Sequence, residues 1–406
     1  MEPSSSKHGP TPNTCRLFQL PHSLILDILS RLSIIDILHC KCVSKRLLCF
    51  VSGAEFARLH LSRSPLCILI NSRPRQRTRK KLQLSHVYAN GESFQVSKLN
   101  FTPISNVPTW DISDLSACNG LLCLVGPKRD DPFYLCNPIL GEFISIQPPY
   151  KDRQRGCWGL GYSAVTNQYK LLQSYYYPTV ESTNKMVEIY TIGTGTWRNI
   201  GNAPIHCSTL PFDAFLNGAI HWRNFLPRGG EFIHSFNFDT EQFGTVPPPD
   251  HFLELDDFSA EFTTSGVLGG CLFIIHFPDF AKFDIWVMKE YGVKESWTKQ
   301  FVIQDMYPKG YGSDTYEPLV VLSNGEIFML LNNQEIVCYN QKRKHLRGCK
   351  FFKIRSIFDT IAYTPCFVSL YNVAKGEQIS RKGFSHLRLE YKLSFLDDWM
   401  TCLLDA

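Results

Sequence analysis

Between Phe18 and Leu32 the apolar positions follow a helical period: Leu20, Leu24, Ile28 and Leu32 recur every four residues, with Ile25 and Leu29 beside them. That stripe predicts an amphipathic helix ending near Arg31, with Pro21 in the first turn, where proline is tolerated. Ser33, followed by Asp36, is a capping-box signature for a second helix carrying Ile34, Ile35, Ile37 and Leu38. Ser44 can cap a third helix with Leu47, Leu48, Phe50 and Val51, and Phe56, Leu59 and Leu61 belong to a fourth. Residues 18–65 are thus expected to form a helical unit behind a polar, disordered tail of residues 1–17. A unit this small buries little by itself, so part of its apolar surface is expected to meet a partner.

Past Pro65 the pattern changes to alternating and continuous apolar runs bounded by Gly, Asn and Pro, the mark of strands joined by turns. Glycine signatures lead into apolar strands at Asn119-Gly120, Gly159-Leu160-Gly161, Asn217-Gly218, Gly269-Gly270 and Asn324-Gly325. They recur at roughly 40 to 57 residues, the spacing of four-stranded propeller blades. Strands at both ends, Leu66 to Ile70 with the hairpin His86 to Leu99, and Ile361 to Leu370, are available to close a ring. Residues 66–372 are therefore expected to be a mostly antiparallel all-β domain, a kelch-like β-propeller of about six blades. An irregular antiparallel sandwich is the alternative. Residues 373–406 carry mixed helical spacing (Leu387, Leu389, Leu393, Phe395, Trp399) and are expected to be an extra helix or a poorly ordered end.

Composition sharpens this picture. Of 406 residues 44% are hydrophobic and 19% charged, which excludes wholesale disorder, and the length calls for two or three domains or one small domain beside a repeat-built one. Lys and Arg number 42 against 37 Asp and Glu, too even a balance to argue for a nucleic-acid partner. The 15 cysteines are odd in number, contain no CxxC pair and mostly sit in apolar runs such as Leu122-Cys123-Leu124, so they read as buried thiols of a reducing, intracellular setting. The longest apolar stretch, Gly266 to Phe277, is too short to span a bilayer, so a soluble chain is expected. No phosphate-binding Gly-rich loop and no nucleophile elbow is present; Gly159 and Gly161 read as a turn and His221 as a satisfied or exposed strand histidine. No catalytic, cofactor or metal site is expected. The basic run Arg73 to Lys81 reads as a loop in preference to a nuclear-import signal, and the acidic group Asp250, Glu254, Asp256, Asp257 and Glu261 as a solvated loop.

The helical unit resembles an F-box. Leu20-Pro21, Ile28-Leu29-Ser30-Arg31-Leu32 and Val43-Ser44-Lys45 match its motif in order and spacing, and the chain departs from it at Ser33, where proline is frequent, and at Leu47, where tryptophan is frequent. The remainder resembles the F-box-associated domain of the large plant F-box and F-box/kelch-repeat family, through Cys118-Asn119-Gly120-Leu121-Leu122-Cys123, Asn137-Pro138, Asn217-Gly218-Ala219-Ile220-His221-Trp222, Ser235-Phe236-Asn237-Phe238-Asp239 and Ile285-Trp286-Val287. The resemblance implies the non-catalytic substrate receptor of an SCF ubiquitin ligase. Its F-box would dock on a Skp1-type adaptor, and through it on cullin and RING subunits, while the β domain holds the protein to be ubiquitylated. Carried over by position, adaptor contact falls to Leu20, Pro21, Leu24, Ile28, Leu29, Leu32, Ile37, Leu38, Val43, Ser44 and Lys45. Partner specificity is expected in the loops Arg223 to Glu231, Pro247 to Asp257 and Tyr307 to Thr315. A cytoplasmic or nuclear location is expected, no cofactor and no membrane partner. A propeller scaffold or carbohydrate- or protein-binding module working outside a ligase is the competing reading.

Overall fold

Capping residues and apolar spacing set four helices near the N-terminus: α1 (His22–Ser30), α2 (Ile34–Val43), α3 (Lys45–Ser52) and α4 (Ala54–Arg63). The computed structural model describes residues 16–72, 82–90, 93–100, 114–126, 128, 131–149, 154–176, 186–203, 214–223, 232–253, 263–279, 282–304, 315–349, 358–375, 377 and 379–381. The chain divides into two units, one holding these helices and the other running from Ser64 to Phe384.

The second unit is built of antiparallel strands. The first sheet contains β1 (Cys67–Ser72), β2 (Leu82–Asn90) and β3 (Ser93–Asn100). The second runs through β4 (Asp114–Cys118), β5 (Leu121–Val125), β6 (Phe133–Asn137) and β7 (Glu142–Ile146). The third holds β8 (Gln154–Ser163), β9 (Gln168–Tyr176), β10 (Met186–Thr191) and β11 (Trp197–Asn202). The fourth holds β12 (Ala214–Leu216), β13 (Ala219–Arg223), β14 (Ile233–Asn237) and β15 (Gln242–Val246), followed by the short helix α5 (Asp250–Leu253). The fifth holds β16 (Thr264–Leu268), β17 (Cys271–Asp279), β18 (Lys282–Met288) and β19 (Trp297–Gln304). The sixth holds β20 (Tyr316–Val321), β21 (Glu326–Leu331), β22 (Glu335–Asn340) and β23 (His345–Gly348). The chain then returns as β24 (Phe358–Tyr363), α6 (Leu370–Val373) and β25 (Ser380–Arg381).

Contacts between sheets form a closed circuit: β4 meets β8, β8 meets β13, β12 and β13 meet β16, β16 meets β20, β20 meets β24, and β24 meets β4. The unit is a β-propeller, with the first strand of each sheet lining the axis, and not a sandwich. Closure comes from the chain's far end. β24 pairs with β1 from Cys67 opposite Tyr363 to Ser72 opposite Phe358, so the first sheet takes its inner strand from the last part of the fold. β25 adds a fifth strand to the second sheet, its Ser380 and Arg381 opposite Phe143 and Glu142 of β7.

Each core lies between neighbouring sheets. Phe283, Phe301, Met329 and Tyr339 fill the gap between the fifth and sixth, and Ile68, Ile70, Phe328 and Cys338 that between the sixth and first. Both faces of a blade are therefore covered, which is why β5 and β21 are buried along their whole length. Tryptophans at the start of outer strands tie one blade to the last: Trp197 Nε1 donates to the Gln147 carbonyl and Trp297 Nε1 to that of Pro247, each at 2.8 Å and each 50 residues back.

Asn119-Gly120 and Asn217-Gly218 make the turns between first and second strands, with φ of 43° and 81° and of 50° and 77°, the left-handed pair a tight hairpin requires. Gly159 and Gly161 do not form a turn. They lie inside β8, and a Cβ on Gly161 would fall 1.9 Å from a ring carbon of Phe238, in the turn that follows β14. The expected strand Ile361 to Leu370 also stops early, at Tyr363; the next residues include Pro365, which has no N–H for a ladder, and lead to α6. The N-terminal tail before Arg16, the basic run 73–81 and the residues after Arg381 lie outside the described residues.

The segment after β24 is fastened to the second sheet. The buried Asn137 donates through Nδ2 to the carbonyls of Cys366 (3.1 Å) and Val368 (2.7 Å), and its Oδ1 accepts from Ile139 N (2.9 Å) and Leu140 N (3.2 Å). Buried Glu142 accepts from Ser369 Oγ (2.9 Å) and Leu370 N (2.7 Å). Asn137→Ala strands several of these groups at about 1–3 kcal/mol each, so urea unfolding should show a loss of at least about 3 kcal/mol. A loss below about 1 kcal/mol would remove Asn137 from the closure.

His221 of β13 is fully engaged: its Nδ1–H donates to the Ala214 carbonyl (3.0 Å), leaving Nε2 to accept from the Tyr291 hydroxyl (2.7 Å). Burial lowers its pKa from 6.5 to about 4. Between those values the unfolded chain holds more protons, so stability falls as pH drops from 6.5 towards 4 and this contribution is constant above 6.5. The expected slope from this ring is up to about 1.4 kcal/mol per pH unit, and it should flatten in His221→Asn. Urea midpoints of both proteins across that window provide the check, and identical slopes would exclude His221 as the source.

Candidate functional site

The helices before Arg63 owe their corners to three residues. The Pro21 carbonyl accepts from Leu24 N (3.0 Å) and Ile25 N (3.2 Å), opening α1. Ser33 Oγ accepts from Asp36 N (3.2 Å) and donates to the Asp36 carboxylate (2.5 Å), so the position where the F-box pattern often has proline is filled by a working cap. Ser44 is extended, ends α2 and starts α3, its Oγ accepting from Arg46 N (3.2 Å). Each such cap is worth about 1 kcal/mol.

Ile25, Leu26, Leu29, Ile37, Val51, Phe56 and Ala57 form the interior. Asp27 fastens α1 to α4 through Arg63 Nη2 (2.6 Å) and also receives Arg31 Nε (3.0 Å). Hydrogen bonds from Arg31 and then Arg63 hold its carboxyl below the usual range. Phe18 stacks with Phe50 at a centroid distance of 6.5 Å, with the Arg46 guanidinium 4.5 Å from the Phe18 ring centre.

What remains outside is unusually apolar. Leu24 is 50% exposed and Ile28 41%, next to Leu20 at 39%, while Val43 at the end of α2 is 53% and Leu48 on α3 is 41% exposed. Burying Leu24 and Ile28 alone would yield about 3 kcal/mol or more. Pro21 and Lys45 are also exposed, and Leu32, Leu38 and Ser44 are half-buried. Leu29 and Ile37 are 2% and 0% exposed. They belong to the interior, because α1 turns Ile25 and Leu29 inwards, and so they support the surface without forming it. Leu48 was not among the residues expected in it, although a signal exists: Leu47 has Val51 four residues on, whereas Leu48 has Ser52, placing it on the solvent side of α3.

In the propeller, antiparallel alternation sends every first-to-second and third-to-fourth turn to one rim. Short turns of this kind among the described residues are 119–120, 138–141, 164–167, 217–218, 238–241 and 341–344. Second-to-third and sheet-to-sheet connections start from the opposite rim, and residues 73–81, 204–213, 224–231, 254–262 and 305–314 are all of this kind. The three loops expected to carry specificity fall into this one group, mostly outside the described residues.

Helical unit and propeller together define a class, and comparison with known proteins agrees. Residues 17–58 match the F-box domain and residues 78–365 the F-box associated beta propeller domain. The chain belongs to this family of F-box proteins. It is 28% identical over 391 residues to the F-box protein At3g07870 of Arabidopsis thaliana, covering 86% of this chain and 91% of that protein. It is similar also to the F-box protein CPR1 of the same plant, at 25% identity with 80% and 83% covered, and to the F-box/kelch-repeat protein At3g23880, at 24% with 79% and 87% covered.

The two sides of α1 should behave differently. Leu24→Asp is expected to leave the helical circular dichroism and protease resistance of the protein unchanged, whereas Leu29→Asp buries a charge and unfolds the helical unit. Equal damage from both substitutions would contradict the assignment of the exposed face.

Proposed function

We propose that the chain is the substrate-recognition subunit of an SCF-type ubiquitin ligase. The exposed stripe Leu20, Leu24 and Ile28, with Val43 and Leu48, takes a Skp1-type adaptor, and the propeller holds the protein to be ubiquitylated. The observation that carries this reading is the conjunction, in one chain, of an F-box with solvent-facing leucine and isoleucine and an F-box associated propeller. Helix-on-helix docking supplies the apolar contact such side chains lack in water. Each of the six sheets serves as one blade, and the rim bearing the long connections takes the substrate, since loop length can vary there without disturbing blade pairing.

The receptor carries no chemistry of its own. It raises the effective concentration of target lysines beside the charged conjugating enzyme. Its place of action is the cytoplasm, the nucleus or both.

Co-purification of the full chain with a Skp1-type protein is the direct test. Wild type should bring the adaptor down and the Leu24→Asp, Ile28→Asp double variant should lose it, by roughly a hundredfold in affinity for two buried side chains. An adaptor retained by the double variant would overturn the interface, and one never bound by wild type would favour a scaffold outside a ligase.

A further inference from the structure

Between the fourth and fifth sheets, two histidines face each other. His251 sits on α5 and is exposed, while His276 lies in β17 at 5% exposure. His251 Nε2 and His276 Nδ1 are 3.3 Å apart, and the ring centroids 4.8 Å apart at 71°. At that separation one ring can donate an N–H···N hydrogen bond to the other when no ion is bound. Two imidazole nitrogens each about 2.0–2.1 Å from one tetrahedral ion lie roughly 3.4 Å apart. The observed 3.3 Å separation matches that ion-bridged spacing as well.

Both rings are held in place. His251 stacks on Trp286 (6.1 Å, 17°), and Phe252 sets its edge against His276 (5.6 Å, 70°) and Trp286 (6.0 Å, 83°). The charged neighbours nearly cancel. Asp284, opposite His276 in the ladder and 5% exposed, bonds Lys299 Nζ at 2.6 Å, and Lys299 lies 5.3 Å over the Trp286 ring; Asp250 on α5 is paired with Lys294 at 2.5 Å. Exposed His251 gives an ion a way in from solvent. Among the described residues no three His, Cys, Asp or Glu side chains gather as a metal set, so water would complete the coordination.

We propose that His251 and His276 form a two-histidine clamp for a divalent transition-metal ion of the imidazole-preferring kind, Zn2+, Ni2+ or Cu2+, to the exclusion of Mg2+ and Ca2+. The ion ties α5 to the fifth sheet, at the point where the chain leaves for residues 254–262.

Isothermal titration of the full-length, chelator-treated protein with ZnCl2 and with NiCl2 tests this. One equivalent should bind in the micromolar range, His251→Ala should weaken that event by roughly tenfold or more, and MgCl2 should give no heat. Because His251 is exposed, that variant keeps the fold; His276→Asn provides the second arm, with its thermal midpoint measured beside it. A raised thermal midpoint of wild type in zinc, absent in His251→Ala, would support the clamp independently. Absence of saturable binding, or binding unchanged in His251→Ala, would overturn it, the latter assigning the ion to cysteine thiols.

Discussion

Everything in the β unit depends on one pairing, that of β24 with β1. A sheet left without its inner strand would present a row of unpaired N–H and C=O groups and would break the circuit through which β20 and β4 each find a neighbour. The surrounding residues treat the joint accordingly. Tyr363, last residue of β24, donates its hydroxyl to the Gly120 carbonyl at 2.9 Å, and a Cβ on Gly120 would fall 2.3 Å from Cys366. Asn137 and Glu142 then hold the departing chain, and Glu377 reaches further round to bond the Tyr190 hydroxyl of the third sheet. The closure is thus distributed over three sheets.

The two units solve opposite problems. The propeller covers both faces of its blades, so most of its described cysteines are interior: Cys67, Cys118, Cys123, Cys136, Cys157, Cys338, Cys349 and Cys366 are buried, and Cys271 is half-buried. Burial raises the Cys67, Cys136 and Cys366 pKa values to about 12, which makes them poor nucleophiles. The helical unit has too little chain to cover itself. It confines its interior to a few residues, clamps α1 to α4 through Asp27 and Arg63, and leaves one stripe of leucine and isoleucine in water.

How much of this is legible in sequence depends on the range of the interaction concerned. The caps at Ser33 and Ser44 and the Asn-Gly turns are local, and short-range patterns find them. Gly161 is different: its missing Cβ makes room for Phe238, 77 positions away, and a glycine next to apolar residues looks the same whether it bends a chain or admits a ring. The four-residue period of α1 finds an apolar helix but not which flank is interior, because that is decided by where α3 and α4 lie; hence Leu24 and Leu29, equivalent on paper, part company. Pro365 did carry a readable stop for the closing strand. The facing of His251 and His276 depends wholly on how two blades meet.

The late arrival of β24 also matters for biosynthesis. β1 leaves the ribosome about 290 residues ahead of its partner, which at ~5–20 residues per second is roughly fifteen seconds to a minute of translation. For that interval the nascent chain carries an incomplete first blade whose β1 edge is free to pair with any passing strand. A frameshift or stop codon anywhere before Tyr363 would make that state permanent, releasing an open arc ready to aggregate, even with every other blade intact.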